Sequence, residues 1–329
     1  MRIAANLLIA LSTCIASCAP ASRGTTPAPD PVPSIIGGAL ALRVPFPEMV
    51  AAELLAADNA AASASARTDL VTGLTAMMSP TVIMPGPGPA FSDGVAAVRA
   101  ALMRDTLNAT SRAEWTAVRA GISADGAHGF TFGYMTTVRA DGTRILGKYL
   151  SYWVREGEAW RVIAYKRSRR PEGEVSMAPM QPVVPPKATA IETDTVTIER
   201  HRESLAQAER DFSRDAQSIG LERAFVKYGS PDAMNMGGPA RGEFVIGNEN
   251  IGRVVGAGSP TTSSPLSWAP DHRVIVASSG DLGVTFGFIR GNAAGGANAP
   301  DANAAEARIP FFTVWRRASP TAPWRYIAE

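Results

Sequence analysis

The sequence predicts an α+β fold written twice in one chain, and three observations predict it. The first is an internal repeat. His128-Gly129-Phe130-Thr131-Phe132-Gly133-Tyr134 returns as Leu282-Gly283-Val284-Thr285-Phe286-Gly287-Phe288, and Trp160-Arg161-Val162-Ile163-Ala164 returns as Trp324-Arg325-Tyr326-Ile327-Ala328. Tyr149 to Trp153 answers Phe311 to Trp315, Trp115 answers Trp268, Gly94 answers Gly247, and Ser79-Pro80 answers Ser230-Pro231, all in the same order. The second is the arrangement inside each copy: helical periodicity comes first and alternating strands follow, which is α+β and not a wound α/β fold. The third is a break between the copies at 169–195, marked by Pro171, Pro179, Pro182, Pro185 and Pro186, which reads as a linker.

The elements follow in order. Leu205, Ala208 and Phe212 recur at i, i+3, i+7 with charges between them, the pattern of a core-facing helix, and its counterpart in the first copy is Pro47 to about Ser65 with Pro47 at the first helical position. Shorter helices follow at Thr68–Met77, with Thr68 as a cap, and at Leu221–Tyr228. After each Ser-Pro break comes a short strand, Val82–Met84 or Ala233–Met236, then a Gly/Pro loop and a third helix, Val95–Arg104 or Asn248–Val255. The rest of the first copy is strand: Glu114–Ile122, Gly129–Arg139, Arg144–Arg155 and Trp160–Lys166, with Asp141-Gly142 as a hairpin turn. In the second copy that hairpin is swollen by the Ala/Asn/Gly-rich stretch 291–307, expected to be mobile.

The N-terminus carries an address. Met1–Arg2 is a short positive region and Ile3 to Leu11 a short apolar run, too short to span a bilayer, so 1–17 reads as a signal peptide. Ile15-Ala16-Ser17-Cys18 resembles the bacterial lipobox, with Cys18 as the lipidated first residue of the mature chain; ordinary cleavage among the small residues nearby is the alternative. Ala19 after the cysteine, by resemblance to lipoprotein sorting, implies the outer membrane, facing the periplasm. The Pro/Ala-rich segment 18–45 is then a tether, 46–168 the first domain and 196–329 the second. The lipid is the only expected membrane contact. The chain has two cysteines, Cys14 and Cys18, so the folded part has no disulfide or thiolate site. A net charge of +2 leaves no footprint for nucleic acid.

Three helices followed by strands that end in Trp-Arg-Val-Ile resemble the nuclear transport factor two-like superfamily, in its SnoaL-like branch, a cystatin-like α+β cone. The residues that carry the resemblance are Ala208-Glu209-Arg210-Asp211-Phe212, the Ser279-to-Gly283 segment with Thr285 and Gly287, and Thr313-Val314-Trp315-Arg316-Arg317 with Trp324-Arg325. It covers nearly all of 196–329 and, more loosely, 46–167. What it implies is two tandem cones, each with three helices on a curved four-stranded antiparallel sheet and a pocket at the open end. Members use that pocket as an active site, as a ligand site or merely as a core, so the fold does not choose the function.

Proton abstraction in such a pocket needs an inward-facing base. The strand interiors carry almost no acids. Asp58 and Glu209 hold matching places on the first helices; either could face inward, but a solvated or capping carboxylate is the preferred reading, since unpaired acids are seldom buried. His128, His201 and His272 share no metal-ligand spacing, so neither metal nor cofactor is expected. What remains is an apolar pocket set: Tyr228, Met236, Arg241, Trp268, Phe286, Phe311, Thr313 and Trp315 in the second copy, with Trp115, Phe132 and Trp153 in the first. For each, plain core packing is the competing reading. The basic run Arg167, Arg169 and Arg170 reads as a solvated strand end.

In Lys148–Val154 both alternating sets are apolar, and Phe311 and Trp315 against Phe312 and Val314 repeat this. A sheet with one wet face alternates with polar residues. Both faces are therefore expected to be covered, by packing the two copies sheet to sheet as an intrachain pseudo-dimer. The functional expectation is a cell-envelope lipoprotein that binds a small apolar ligand or a partner protein without catalysis. The alternative is a SnoaL-like or ketosteroid isomerase-like lyase or isomerase using the second pocket. A third reading is that one copy is purely structural, and the first, Ala-rich and poorer in family motifs, would be that one.

Overall fold

The computed structural model describes residues 46–86, 88–292 and 308–329. The stretches expected to be a signal peptide and a tether, with Cys18 between them, and most of the expected swollen hairpin (293–307) lie outside the described residues. Each copy opens with a long helix, α1 (Pro47–Ser65) and α4 (Thr195–Ile219), and a short one, α2 (Leu70–Ala76) and α5 (Leu221–Tyr228). Pro47 stands at the start of α1 as expected, because its fixed φ suits the first turn and its missing N–H costs nothing there. Thr68 does not cap α2. Asp69 does, accepting a hydrogen bond from the Thr72 N–H at 3.0 Å, while the Thr68 hydroxyl donates back to the Ser65 carbonyl.

The strands are β1 (Met78–Pro85), β2 (Phe91–Asp93), β3 (Arg112–Ile122), β4 (His128–Val138), β5 (Arg144–Glu156) and β6 (Ala159–Arg169) in the first copy. In the second they are β7 (Gly229–Asn235), β8 (Val245–Ile246), β9 (Leu266–Val276), β10 (Leu282–Gly291), β11 (Arg308–Arg316) and β12 (Arg325–Ala328). Helices α3 (Val95–Met103) and α6 (Asn248–Gly256) each start at a glycine, Gly94 and Gly247, with φ of +83° and +88°. An L side chain there would be strained.

Each sheet has six strands, in the orders β2-β1-β6-β5-β4-β3 and β8-β7-β12-β11-β10-β9. This corrects the expected four-stranded antiparallel sheet. The four predicted strands do form an antiparallel meander, but β1 and β7 join its end in parallel with β6 and β12. The short strands expected at Val82–Met84 and Ala233–Met236 fall at the ends of β1 and β7, whose beginnings are broken up by Pro80 and Pro231. The two prolines sit inside the register shifts between Met78 and Ile83 and between Gly229 and Met234, where a missing N–H breaks no ladder bond. The Pro-rich linker is not free either. Met180, Val183 and Thr189 donate their N–H groups to the Val118, Ala120 and Ala124 carbonyls, so it runs along the outer edge of β3 and covers it.

Residues alternate between an inner face toward the helices and an outer face. Thr131, Ser151, Tyr149 and Trp153 face inward, as do Thr285, Thr313, Phe311 and Trp315. The outer faces meet. Phe130, Phe132, Leu150 and Tyr152 of the first copy share one buried cluster with Val284, Phe286, Phe312 and Val314 of the second. The sheets are thus greasy on both sides because both sides are covered.

Polar contacts fix the register of this seam. Arg119 donates to the Asp232 carbonyl at 2.6 Å and to its carboxylate at 3.0 Å. The turns before β4 and β10 cap one another: Asp125 accepts from the Ser278 hydroxyl and the Ser279 N–H, and Asp281 accepts from the Ala124 N–H. Lys148 is fully buried, and its ammonium donates to four carbonyls of the second copy, those of Met236, Gly238, Arg241 and Glu243.

Candidate functional site

The acids Asp58 and Glu209, read from sequence as solvated, are 0% and 1% exposed. Both point from the first helix of their copy into the cone, where the inner face of the sheet supplies donors. Trp115 Nε1 donates to Asp58 Oδ1 at 2.6 Å and the Tyr149 hydroxyl to Oδ2 at 2.9 Å. In the second copy Trp268 Nε1 donates to Glu209 Oε1 at 2.7 Å. The Thr285 hydroxyl and Trp315 Nε1 donate to Oε2 at 2.6 and 2.9 Å. A buried carboxylate is tolerated only when paired or hydrogen-bonded, and these are hydrogen-bonded by neutral partners. One sequence signal for them was available: two acids at equivalent repeat positions, each accompanied by a repeated tryptophan.

The surroundings tune these groups differently from a surface acid. Burial raises the Asp58 carboxyl, against the hydrogen bonds from Thr131, Trp115 and Tyr149. Burial pushes Glu209 up to about 7; its three donors oppose this and the negative charge of Glu329 adds to it. At neutral pH Glu209 is therefore a mixture of acid and carboxylate.

Glu209 also borders a cavity of about 330 Å³. Leu221, Phe225, Leu266, Trp268, Ile289 and Phe311 make most of its wall apolar, and Thr313, Asn235 and Glu329 add polar points. The first copy contributes to its wall: Lys166, Arg167 and Ser168 of β6 form part of the lining. Burial pushes the Lys166 ammonium down to about 8, with Glu329 opposing. Burial likewise raises Glu329, against Lys166 and the hydrogen bond from Asn235 Nδ2 at 3.0 Å. Three titratable groups with displaced pKa values thus share one small cavity, the pattern that marks functional sites. The cleft of the first copy, between α1, α2, Trp153 and Trp160, does not have Asp58 in its lining.

Of the residues expected to line a pocket, Met236, Trp268, Phe311 and Thr313 meet at this cavity. Trp315 lies beneath it, fully buried and bonded to Glu209. Phe286 and Phe132 do not line it. They sit on the outer faces, in the seam between the sheets, because they fall on the opposite parity from Thr285 and Thr131. Tyr228 stacks on Phe212 and donates to Asp215 at 2.8 Å. Arg241 belongs to a separate cleft beside α6, and its carbonyl receives Lys148. Trp115 is engaged with Asp58, and Trp153 lines the first copy's cleft while donating to Thr131. Reading by residue type set Glu209 aside as a solvated acid and missed Glu329, Lys166 and Ser168. The last two could not be found within one copy, since they reach the cavity across the seam.

The histidines are scattered. His128 pairs with Tyr152, His201 with Arg317 and His272 with Asp93. Arg169 is the exposed last residue of β6, and with Arg167 it lines a surface cleft shared with Asp105 and Arg139.

No family model matches the sequence, and no curated protein matches it. Solved structures match one cone at a time. A ketosteroid isomerase-like protein from Erwinia carotovora atroseptica is 19% identical over 36% of this chain and 96% of its own, with a TM-score of 0.29. A domain of unknown function with a cystatin-like fold from Nostoc punctiforme is 15% identical over 37% of this chain and 77% of its own, with a TM-score of 0.30. A protein named as a dehydratase of the nuclear transport factor two-like family, from Streptomyces avermitilis, is 14% identical over 38% of this chain and 98% of its own, with a TM-score of 0.30. The chain itself has the architecture that the sequence resemblance implied: three helices on a sheet, twice.

Proposed function

We propose that the protein is a cell-envelope lipoprotein, held through Cys18 at the outer membrane and facing the periplasm, whose second copy binds a small, mostly apolar molecule. The observation that carries this is the difference between the copies. The carboxylate of the first is sealed by Tyr149, and that of the second borders an apolar cavity beside Phe311. A cavity of this size, mostly apolar with a few polar points, suits a small ligand. The first copy serves as part of the wall and as support of the second.

Native mass spectrometry of the protein purified from its own envelope tests this. A retained mass is expected, and Phe311→Trp, which fills the cavity, removes it. Clean apo protein in both forms contradicts the proposal.

A second reading, an isomerase or lyase, is favoured by one observation: Glu209 sits in the cavity wall with its carboxyl near 7, where it can take and return a proton. Its two oxygens are already engaged by three donors, which argues for the binding role first. Incubating protein and retained molecule in deuterated water separates the two. Glu209-dependent deuterium uptake into the molecule supports catalysis, and none supports binding alone.

A further inference from the structure

We propose, resting on the cavity reading above, that the molecule held by the second copy carries a carboxylate, received by Lys166 and Ser168 of the first copy. These two residues lie two apart on one face of β6, the face that contributes to the cavity wall. Lys166 Nζ has three N–H bonds and, among the described residues, one acceptor, the Phe312 carbonyl at 3.0 Å. Ser168 Oγ is shut off from solvent and has no hydrogen-bond partner. A buried donor without an acceptor is rare in folded proteins, and Ser168 Oγ is one, set at the rim of an apolar cavity beside a half-buried ammonium with a single acceptor. Oxygen atoms of a ligand supply what they lack.

The other charged groups of the cavity do not compete for this place. Both Glu209 oxygens are engaged by indoles and Thr285. Glu329 acts on Lys166 through space, without a hydrogen bond between them, and one of its oxygens is held by Asn235. As the neutral acid, which burial favours, Glu329 becomes a further donor toward an anion. The apolar part of the ligand then lies against Leu221, Phe225, Ile289 and Phe311. An ammonium headgroup would face Lys166 and is disfavoured by the same geometry.

Calorimetric titration of the full chain at pH 7 with decanoate, decanol and decylamine tests the assignment. Decanoate is expected to bind at least tenfold more tightly than decanol, and decylamine more weakly than either. Lys166→Met and Ser168→Ala are expected to weaken decanoate about tenfold each and leave decanol unchanged. Equal affinity for decanoate and decanol, or tighter binding of decylamine, overturns the carboxylate assignment while the cavity reading stands. Binding of none of the three overturns both. The comparison of the three ligands uses the unaltered chain and so does not depend on the variants folding.

Discussion

Tyr149 and Phe311 stand on the same rung of the two sheets, opposite Gly133 and Gly287, and one hydroxyl separates them. The Tyr149 hydroxyl reaches Asp58 at 2.9 Å; Phe311 has nothing to give Glu209 and borders a cavity instead. The glycines matter here, because a Cβ at Gly133 would stand 2.4 Å from the Tyr149 ring. Removing the hydroxyl leaves Asp58, which is shut off from solvent, with one donor fewer. Tyr149→Phe is therefore expected to lower stability by about 1–3 kcal/mol in denaturant unfolding, the cost of depriving a buried polar group of a partner. Phe311→Leu, which removes no hydrogen bond, is expected to behave as an ordinary apolar truncation. An unchanged midpoint for Tyr149→Phe would mean that Asp58 finds another donor.

Glu209 gives the molecule a pH dependence of known sign. Its folded pKa is about 7 against an ordinary value of 4.5, so the folded state holds its proton more tightly than the unfolded chain. This favourable difference is fully present below pH 4.5, falls between 4.5 and 7, and is gone above 7. The shift corresponds to about 3 kcal/mol. Stability measured by chemical denaturation is expected to decline across that window, and Glu209→Gln to flatten the decline. Only the slope is diagnostic, because the carboxamide keeps one acceptor oxygen and its N–H₂ cannot accept, so either Trp268 or the pair Thr285 and Trp315 loses its acceptor. A slope unchanged by the substitution would assign the titration to another group.

The repeat made the architecture legible, because a Trp or Gly recurring in order marks equivalent places in a fold whatever its neighbours. Helix α4 follows directly from periodicity and α1 from its matching place in the repeat, and the four-stranded meanders follow from alternation. What periodicity could not give was pairing across distance. The stretches of β1 and β7 after Pro80 and Pro231 read as short strands, but their parallel pairing with β6 and β12 shows only in the folded chain. The two buried acids looked like surface acids because burial of a carboxylate depends on donors 57 and 59 residues away in sequence. The greasy outer faces were legible, and they led to the seam. That the seam also carries Lys166 and Ser168 to the cavity depends on the relative placement of two domains, which no local pattern encodes.

Lys148 predicts a local opening. Its ammonium ties the 236–243 loop of the second copy to the sheet of the first through four carbonyls, two of them at 2.7 and 3.2 Å. With Lys148→Met the carbonyls of Met236, Gly238, Arg241 and Glu243 lose their common donor, and the loop must turn them to water. The expected result is a loss of about 3 kcal/mol and faster proteolytic cleavage within 236–243 under native conditions. Cleavage at the original rate would show that the β7 and β8 pairing alone holds the loop.

The last prediction concerns cooperativity. Two domains that each own a core unfold separately when their interface is small and polar. Here Leu150 and Phe312, each fully buried, belong to one cluster that neither copy completes alone. Opening the seam would expose Phe130, Phe132, Leu150, Val284 and Phe286 together, so the intermediate with one copy unfolded is disfavoured by the apolar surface it bares. A single transition is expected. Three tryptophans lie in each copy, Trp115, Trp153 and Trp160 against Trp268, Trp315 and Trp324, so fluorescence sees both halves. Its transition should coincide with that of far-ultraviolet circular dichroism. Leu150→Ala, which cuts a cavity in the seam, is expected to lower the common midpoint by about 2–5 kcal/mol without splitting it. Two resolved transitions in the unaltered chain, with Leu150→Ala moving only one of them, would show that each cone stands by itself and that the seam is a weak contact.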